Sequence, residues 1–337
     1  MPPRPSASSD ILLSQLAGDG LVFRTHPQHA APTFAIYKTS TKCRLILDLR
    51  ACNKLFLRPP SFRLPTFFAL LQSPSLPLYF VKLDVTNFFW SLSLPPTVSG
   101  YFRFQSSSAS FTYGTRRLPF GWSFSSIISH LTLERILHPL LSWLPDTLWQ
   151  YNDDILLAHP DPHFLSFVAA YATHLLRSDG LLISSKSVLV PSLHVTWLGK
   201  NITCHFLHNS PARIAQISLH LWLLRCHSFS FRSLQRLLGQ LQWLCSPVSQ
   251  CAPFLASAYG LLQTCEARPA LLPRQIFRSL LYACISCLIP LRRCALPPAM
   301  SMPVFYYDAA QTPSGRFAVS CFQRDSFATY VHASRLG

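Results

Sequence analysis

A chain of 337 residues, 49% of them hydrophobic, is long enough for two or three compact units and too apolar to stay disordered. Its formal charge of +16, with 23 arginines, 6 lysines and only 13 acids, suits a polyanion, nucleic acid first, because neutralising phosphates releases counterions. A solubility bias or a drift in the coding nucleic acid would give the same surplus.

Residues 1–20 open on MPPRPSASSD, which is polar, Pro-rich and free of a secretory signal, and turn helical near Ile11–Leu16. With eleven scattered cysteines, this implies an intracellular protein (cytoplasm, capsid or nucleus) rather than a secreted disulfide scaffold. From Thr33 to Asn53 the pattern alternates, with Arg44, Ile46 and Asp48 on one strand face and Leu45, Leu47 and Leu49 on the other. After a Pro-rich connection comes an apolar strand, YFVKLDV, and an aromatic cluster, NFFW. Ser125 to Leu144 reads as a helix stopped by Pro145. LWQYNDDILLAH reads as strand–turn–strand, with Trp149 and Tyr151 on one side and Ile155 and Leu157 on the other. A helix from about Pro162 to Arg177 ends at an Asp179-Gly180 turn. Ser233 to Leu244 carries leucines at 234, 237, 238 and 241, one face of an amphipathic helix.

The run SLLYACISCLIPL between Arg278 and Arg292 is 13 residues, too short to cross a bilayer, so no membrane partner is expected. Its Cys284 and Cys287 form a C-x-x-C without a second pair at zinc-finger spacing, and core burial explains them better than a metal. The end of the chain, PVFYYDAAQTPSGRFAVSCF, reads as two strands around a Pro-Ser-Gly turn. Strands and helices mixed in this way predict an α+β fold.

An acid-poor chain that sets Asp153 beside Asp154 invites an electrostatic question, since two unit charges about 4 Å apart repel by roughly 4 kcal/mol at an effective dielectric near 20. Each is open to a bland reading: Asp84 as a strand-end cap, the pair as a solvated turn. Brought together from two neighbouring strands, the three would form a hard oxygen cluster suited to Mg²⁺, and two such ions suit an in-line phosphoryl transfer.

Residues 26–54, HPQHAAPTFAIYKTSTKCRLILDLRACNK, resemble the fingers of retroviral reverse transcriptases, with matches at Pro32, Phe34, Ile36, Lys38, Lys42, Arg44, Asp48, Arg50, Asn53 and Lys54. LDVTNFFWSLSL (83–94) is similar to that family's first carboxylate motif, LPFGWSFSS (118–126) to its L-P-x-G segment, and YNDD (151–154) to its Y-x-D-D box. LLRSDGLLISSKS (175–187), WLG (197–199) and LLGQLQW (237–243) resemble the later helix–Gly–Lys element, primer grip and thumb helix. The order holds over roughly residues 11–260.

The resemblance implies a right-hand polymerase: fingers and palm over 21–205 after the lead-in, thumb over 206–270, and a connection over 271–302. Residues 303–337 would be the first hairpin of a truncated ribonuclease-H-like segment carrying Asp308. It implies that Asp84, Asp153 and Asp154 bind two Mg²⁺ (or Mn²⁺) ions, and that Lys42, Arg44, Val85, Phe89, Phe120 and Gly121 meet the incoming dNTP. Phe89 would be the gate against a 2′-OH, or else another core aromatic beside Phe88 and Trp90. Lys186 would protonate pyrophosphate, or be a surface lysine. Tyr151, Trp197, Leu198 and Gly199 would hold the primer on its RNA or DNA template. Phe120, Ser126 and Asn152 depart from the family's usual residues. The fingers motif looks retroviral. The Pro- and Phe-rich composition, with QRLLG (235–239), SQCAP (249–253) and VFYYDAAQTPSGRFAV, leans towards the hepadnavirus polymerase. The function implied is RNA- and DNA-directed DNA polymerisation, with a partner subunit or further polyprotein domains completing the machine. The alternatives are a catalytically silent, retroelement-derived nucleic-acid binder and an RNA-dependent RNA polymerase, the latter disfavoured by the bulk of Phe89.

Overall fold

The computed structural model describes residues 6–25, 30–37, 43–62, 64, 78–105, 112–144, 146–248, 251–264, 271–292, 305–311, 317–323 and 329–334. They fall into two compact units, 1–294 and 295–337.

The first unit opens with helix α1 (Ser6–Gly18) and strand β1 (Val22–Thr25), then hairpin β2 (Thr33–Tyr37) and β3 (Cys43–Leu47), and the short α2 (Arg50–Asn53). Next come β4 (Tyr79–Asp84), α3 (Phe88–Ser91), α4 (Pro96–Ser99), β5 (Arg103–Gln105) and β6 (Thr112–Thr115). The expected lead-in is firmly built in: Leu13 of α1 is fully buried in one core with Val22, Leu47, Leu49, Phe102, Phe104, Tyr113 and Trp122. Sequence alone undervalued α1 because its apolar residues form no single stripe.

The central layer follows: α5 (Ser125–Trp143), β7 (Leu148–Tyr151), β8 (Asp154–His159), α6 (Pro162–Ser178) and β9 (Val188–Ser192). Its sheet is antiparallel in the order β7-β8-β4-β9. Alternation along β4 and β8 assigns each side chain a face. Val81, Leu83, Ile155 and Leu157 pack on Leu133, Leu137, Leu165 and Val168 of α5 and α6. Phe80, Leu156 and Ala158 pack on the opposite side against Val195, Trp197, Ile202 and Leu207. Those last four belong to β10 (His194–Trp197), β11 (Lys200–Thr203) and β12 (Phe206–Asn209), a meander that adds a final strand, β13 (Leu291–Arg292).

Four helices complete the unit: α7 (Pro211–Cys226), α8 (Phe231–Cys245), α9 (Ala252–Thr264) and α10 (Arg274–Ser286). The leucine stripe of α8, Leu234, Leu237, Leu238 and Leu241, is buried as its spacing predicts. Residues 271–302, expected as a connection, send Leu280, Ala283, Cys284 and Cys287 into the same helical core, and β13 into the meander. Beneath this core Lys200 is almost wholly buried, and desolvation pulls its pKa down to about 8, against the opposing pull of Cys287 and Cys245. Among the described residues no helix is long and apolar enough to cross a membrane.

The second unit is an antiparallel sheet of β14 (Phe305–Gln311), β15 (Phe317–Gln323) and β16 (Thr329–Ser334), with Asp308 opposite Ser320. The expected hairpin is therefore three strands. The Thr329–Ser334 segment pairs antiparallel along β15, the strand just before it in sequence.

Helix α6 shows how locally some elements are determined. Asp161 caps it by accepting from the His163 N–H at 2.8 Å and the Phe164 N–H at 3.3 Å, with Pro162 in its first turn. Those two donors hold the Asp161 carboxyl below its usual range. A depressed acid stabilises the fold above its unfolded pKa and loses that contribution as pH falls through the folded value. Asp161→Ala is expected to lower the thermal midpoint at pH 7, and the difference from wild type to shrink towards pH 3 in calorimetric scans.

Candidate active site

The β7–β8 hairpin turns through only Asn152 and Asp153, with Tyr151 paired to Asp154. Asn152 takes φ +51°, the left-handed region that asparagine tolerates far better than the apolar residues the family usually carries there. The polar residue at that slot thus suits the turn. Across the next ladder Asp84 lies directly opposite Asp154, so the end of β4 and the tip of the hairpin carry the three aspartates at one end of the sheet.

Register adds a residue that sequence reasoning passed over. Lys82 sits two positions before Asp84, hence on the same face, and its Nζ lies 2.9 Å from Asp154 Oδ1. The only sequence signal was its spacing from Asp84. Burial pushes the Asp153 carboxyl above the usual carboxylate range; its own backbone N–H lowers it, Asp154 and Asp84 raise it further, and Lys82 draws it back. The Asn152 Oδ1 at the same tip is buried with no hydrogen-bond partner. A carboxyl held against its preferred charge beside an orphaned carbonyl oxygen fits a hard divalent cation, since every donor available is oxygen.

The segment after α6 is tied to this strand end. The Ser184 N–H donates to Asp84 O at 2.7 Å, the Asp84 N–H to Ser187 Oγ at 3.0 Å, and the Thr86 N–H to Leu182 O at 2.8 Å. Lys186 is exposed in the turn between those two serines, carried beside Asp84 by backbone bonds. Val85 is bridged to Ile183 and its side chain is buried in the sheet–helix core, so only its backbone can face a nucleotide.

Aromatic burial separates the three members of NFFW. Phe88 and Trp90 are buried, whereas Phe89 is half-buried with its ring 4.5 Å from that of the exposed Phe120. Phe120, Trp90, Asn87 and Arg44 line a cavity of about 320 Å³ closed by Leu12, Gln15 and Leu16 of α1. Lys42 lies outside the described residues. Gly121 has φ +95°, and a Cβ there would meet Leu47 O at 3.2 Å, so the chain needs glycine. Asn53 holds this loop from both sides, donating through Nδ2 to Gly121 O and accepting the Ser123 N–H through Oδ1, each at 3.0 Å.

Leu198 at φ +49° and Gly199 at φ +73° form the tight turn between β10 and β11. Trp197 is buried in the core beneath, so its side chain supports the turn and does not reach outward, while Tyr151 is half-buried on the same side of the sheet.

A profile described as reverse transcriptase (RNA-dependent DNA polymerase) matches residues 36–202, the stretch holding Asp84, Asp153 and Asp154. The chain belongs to the reverse transcriptase family. Members of that family work with divalent metal ions. The Gag-Pro-Pol polyprotein of human T-cell leukemia virus 3 (strain 2026ND) is 31% identical over 237 residues, 67% of this chain and 15% of that polyprotein. Protein P of duck hepatitis B virus is 24% identical over 217 residues, 61% of this chain and 27% of that protein. The chain thus spans only a small part of the curated relatives it matches. Its fold is shared with a foamy viral protease-reverse transcriptase solved with an RNA/DNA hybrid, at a TM-score of 0.70 and 17% identity over 98% of this chain and 43% of the other. The same holds for the form solved with double-stranded DNA, at 0.68 and 17% over 99% and 67%.

The electrostatics of the reverse transcriptase tip give two expectations. A carboxyl whose folded pKa is raised subtracts stability above its unfolded pKa, a penalty that vanishes in acid. Asp153→Asn should therefore raise the melting temperature at pH 7 in EDTA by roughly 1–3 °C, a modest gain because solvent screens part of the charge. The gain should fade near pH 3 and reverse on adding Mg²⁺, which then favours wild type. Lys82→Met removes the internal counter-charge. It should cost about 1 kcal/mol in chelator, yet lower the divalent-ion concentration needed for half of the thermal shift.

Proposed function

We propose that this chain is an RNA- and DNA-directed DNA polymerase that extends a primer 3′-OH with dNTPs. The observation that carries the reading is the in-register meeting of Asp84 with Asp154, with Asp153 at the tip between them. Asp84, Asp153 and Asp154 would hold two Mg²⁺ (or Mn²⁺) ions, which when bound supply charge neutralisation of the triphosphate and acidify the attacking hydroxyl.

The rest falls to the chain. The primer 3′-oxygen bonds to the α-phosphorus of the dNTP while the bond to the pyrophosphate oxygen breaks. Arg44 and Lys42 would hold the triphosphate, Arg through a planar fork matched to phosphate oxygens. Lys186, carried beside Asp84 by Ser184 and Ser187, would deliver a proton to the departing pyrophosphate. The half-buried Phe89 ring, steadied by Phe120, would fill the space of a 2′-OH. The Val85 backbone and Gly121 would approach the nascent base pair, and the Leu198–Gly199 turn and Tyr151 the primer end. The boundaries that follow are fingers and palm to about residue 205, a thumb of α7 to α9, a connection through α10 and β13, and a ribonuclease-H-like sheet bearing Asp308. The template with its primer, the remaining polyprotein domains and a subunit supplying ribonuclease H are the partners this reading requires.

Primer extension on poly(rA)/oligo(dT) with Mg²⁺ tests it. Wild type should incorporate dTTP, and Asp84→Asn or Asp153→Asn should lose on the order of a thousandfold or more in rate. Phe89→Ala should retain dNTP addition while rNTP use rises roughly tenfold to a hundredfold. No incorporation by wild type, together with salt-sensitive template binding, would leave the silent binder in its place.

A further inference from the structure

Four of the eight described free cysteines are buried, Cys245, Cys251, Cys284 and Cys287, and all four lie in the helical core of α7 to α10. Buried cysteine is commonly a small hydrophobe packed among aliphatic side chains. Three of these converge on one point. Cys245 ends α8, Cys251 immediately precedes α9 and Cys287 caps the C-terminus of α10, and their sulfurs lie within 4.8 Å of one another. Cys245 Sγ and Cys287 Sγ are 3.6 Å apart. Sulfurs held at about 2.3 Å from one ion stand roughly 3.8 Å from each other, so the cluster needs only small side-chain adjustments to close on a common centre. Cys284 shares the C-x-x-C with Cys287, but its sulfur stands outside the group, so the sequence motif is not the ligand pair.

The bond to Cys287 and then burial resist loss of the Cys245 proton, burial resists loss of the Cys251 proton, and a nearby cation offsets both. The Lys200 ammonium rises from β11 beside the cluster, where it donates to Asn209 Oδ1, to Trp243 O at 2.8 Å and to Leu244 O at 3.1 Å, and Leu244 O also accepts from Cys287 Sγ at 3.7 Å. Three thiolates around a divalent ion carry one net negative charge, which one ammonium balances. The burial of all three cysteines keeps water and competing anions away.

We propose that Cys245, Cys251 and Cys287 bind one thiophilic d¹⁰ cation, Zn²⁺ or Cu⁺, that clasps the ends of α8, α9 and α10. Soft sulfur donors select both ions; three sulfurs suffice for Cu⁺, while Zn²⁺ takes a fourth donor. The site is separate from the carboxylates, whose hard oxygens select Mg²⁺.

The full chain, purified under a phosphine reductant without chelator, should carry close to one equivalent of zinc or copper by plasma mass spectrometry, which also tells the two apart. After stripping, Co²⁺ should produce a near-ultraviolet sulfur-to-metal charge-transfer band, and a Cu⁺ chelator competition should register retention if copper is the native ion. Cys251→Ser and Cys287→Ser should weaken binding at least tenfold, while Cys226→Ser, at the exposed end of α7, and Asp153→Asn should leave the band intact. Should the cysteine variants fail to fold, the wild-type protein still decides the matter: its melting temperature must rise with the ion and fall with a thiophilic chelator. Absence of retained metal, of the cobalt band and of any metal-dependent melting shift would overturn the proposal. So would a Cys245–Cys287 disulfide in the non-reduced peptide map of freshly isolated protein.

Discussion

Everything at the carboxylate site hangs on the register between β4 and β8. A slip of one residue would turn Asp84 and Lys82 towards α5 and α6 and drive Val81 and Leu83 into the meander. Register is fixed because both faces of this sheet are buried: Val81, Leu83, Ile155 and Leu157 on one, Phe80, Leu156 and Ala158 on the other. The acids occupy the last rung, where the strands end and one side opens. The protein uses a two-sided apolar clamp to place like charges that would not choose to meet, and Lys82 lowers the cost of the cation-free state by pairing with one of them.

The loops that would meet a nucleotide are each anchored to that frame by backbone. Residues 182–187 are stitched to Asp84 and Thr86 by main-chain bonds and the Ser187 hydroxyl, so Lys186 inherits its place from the strand and not from its own contacts. On the other side Asn53 grips the Gly121 loop as acceptor and donor, while Gly121 passes too close to Leu47 O for a larger residue. Ser126 lies in the first turn of α5, where backbone N–H groups lack helical partners, so the exchange of a common proline for serine costs the helix little.

Features determined within a few residues were readable in advance. The α8 stripe, the Asp161–Pro162 helix start and the hairpin around Asn152 and Asp153 depend on spacing and turn chemistry. Features created by distant pairing were not. Lys82 stands in plain view two residues from Asp84, but only the β4–β8 ladder delivers it to Asp154. Phe88, Phe89 and Trp90 are three aromatics in a row, and nothing in their order says which one stays half-exposed. The sulfurs of residues 245, 251 and 287 meet because three helix ends converge, whereas the legible C-x-x-C joins Cys287 to Cys284, read from sequence as core and standing outside the group. Helix α1 was undervalued for the same reason: the core that buries Leu13 is drawn from residues remote in sequence, Phe102, Phe104 and Tyr113 among them.

Lys200 joins these two kinds of information. It follows Gly199 directly, so the turn proposed to hold the primer end and this ammonium are neighbours on one hairpin. Its partners, the carbonyls of Trp243 and Leu244, belong to the last turn of α8, where unsatisfied carbonyl groups concentrate negative potential. An ammonium buried there satisfies those carbonyls and fastens the meander to the helical core at one point. Desolvation resists this, which is why its pKa falls to about 8, and the bonds it makes are what keep it in place. The Leu198–Gly199 turn therefore takes its position from α8 and from the helix ends gathered around the three cysteines. A metal clasping those ends would stiffen the anchor of the Leu198–Gly199 turn without touching the carboxylates, leaving the carboxylate tip and the helical core chemically independent but mechanically joined.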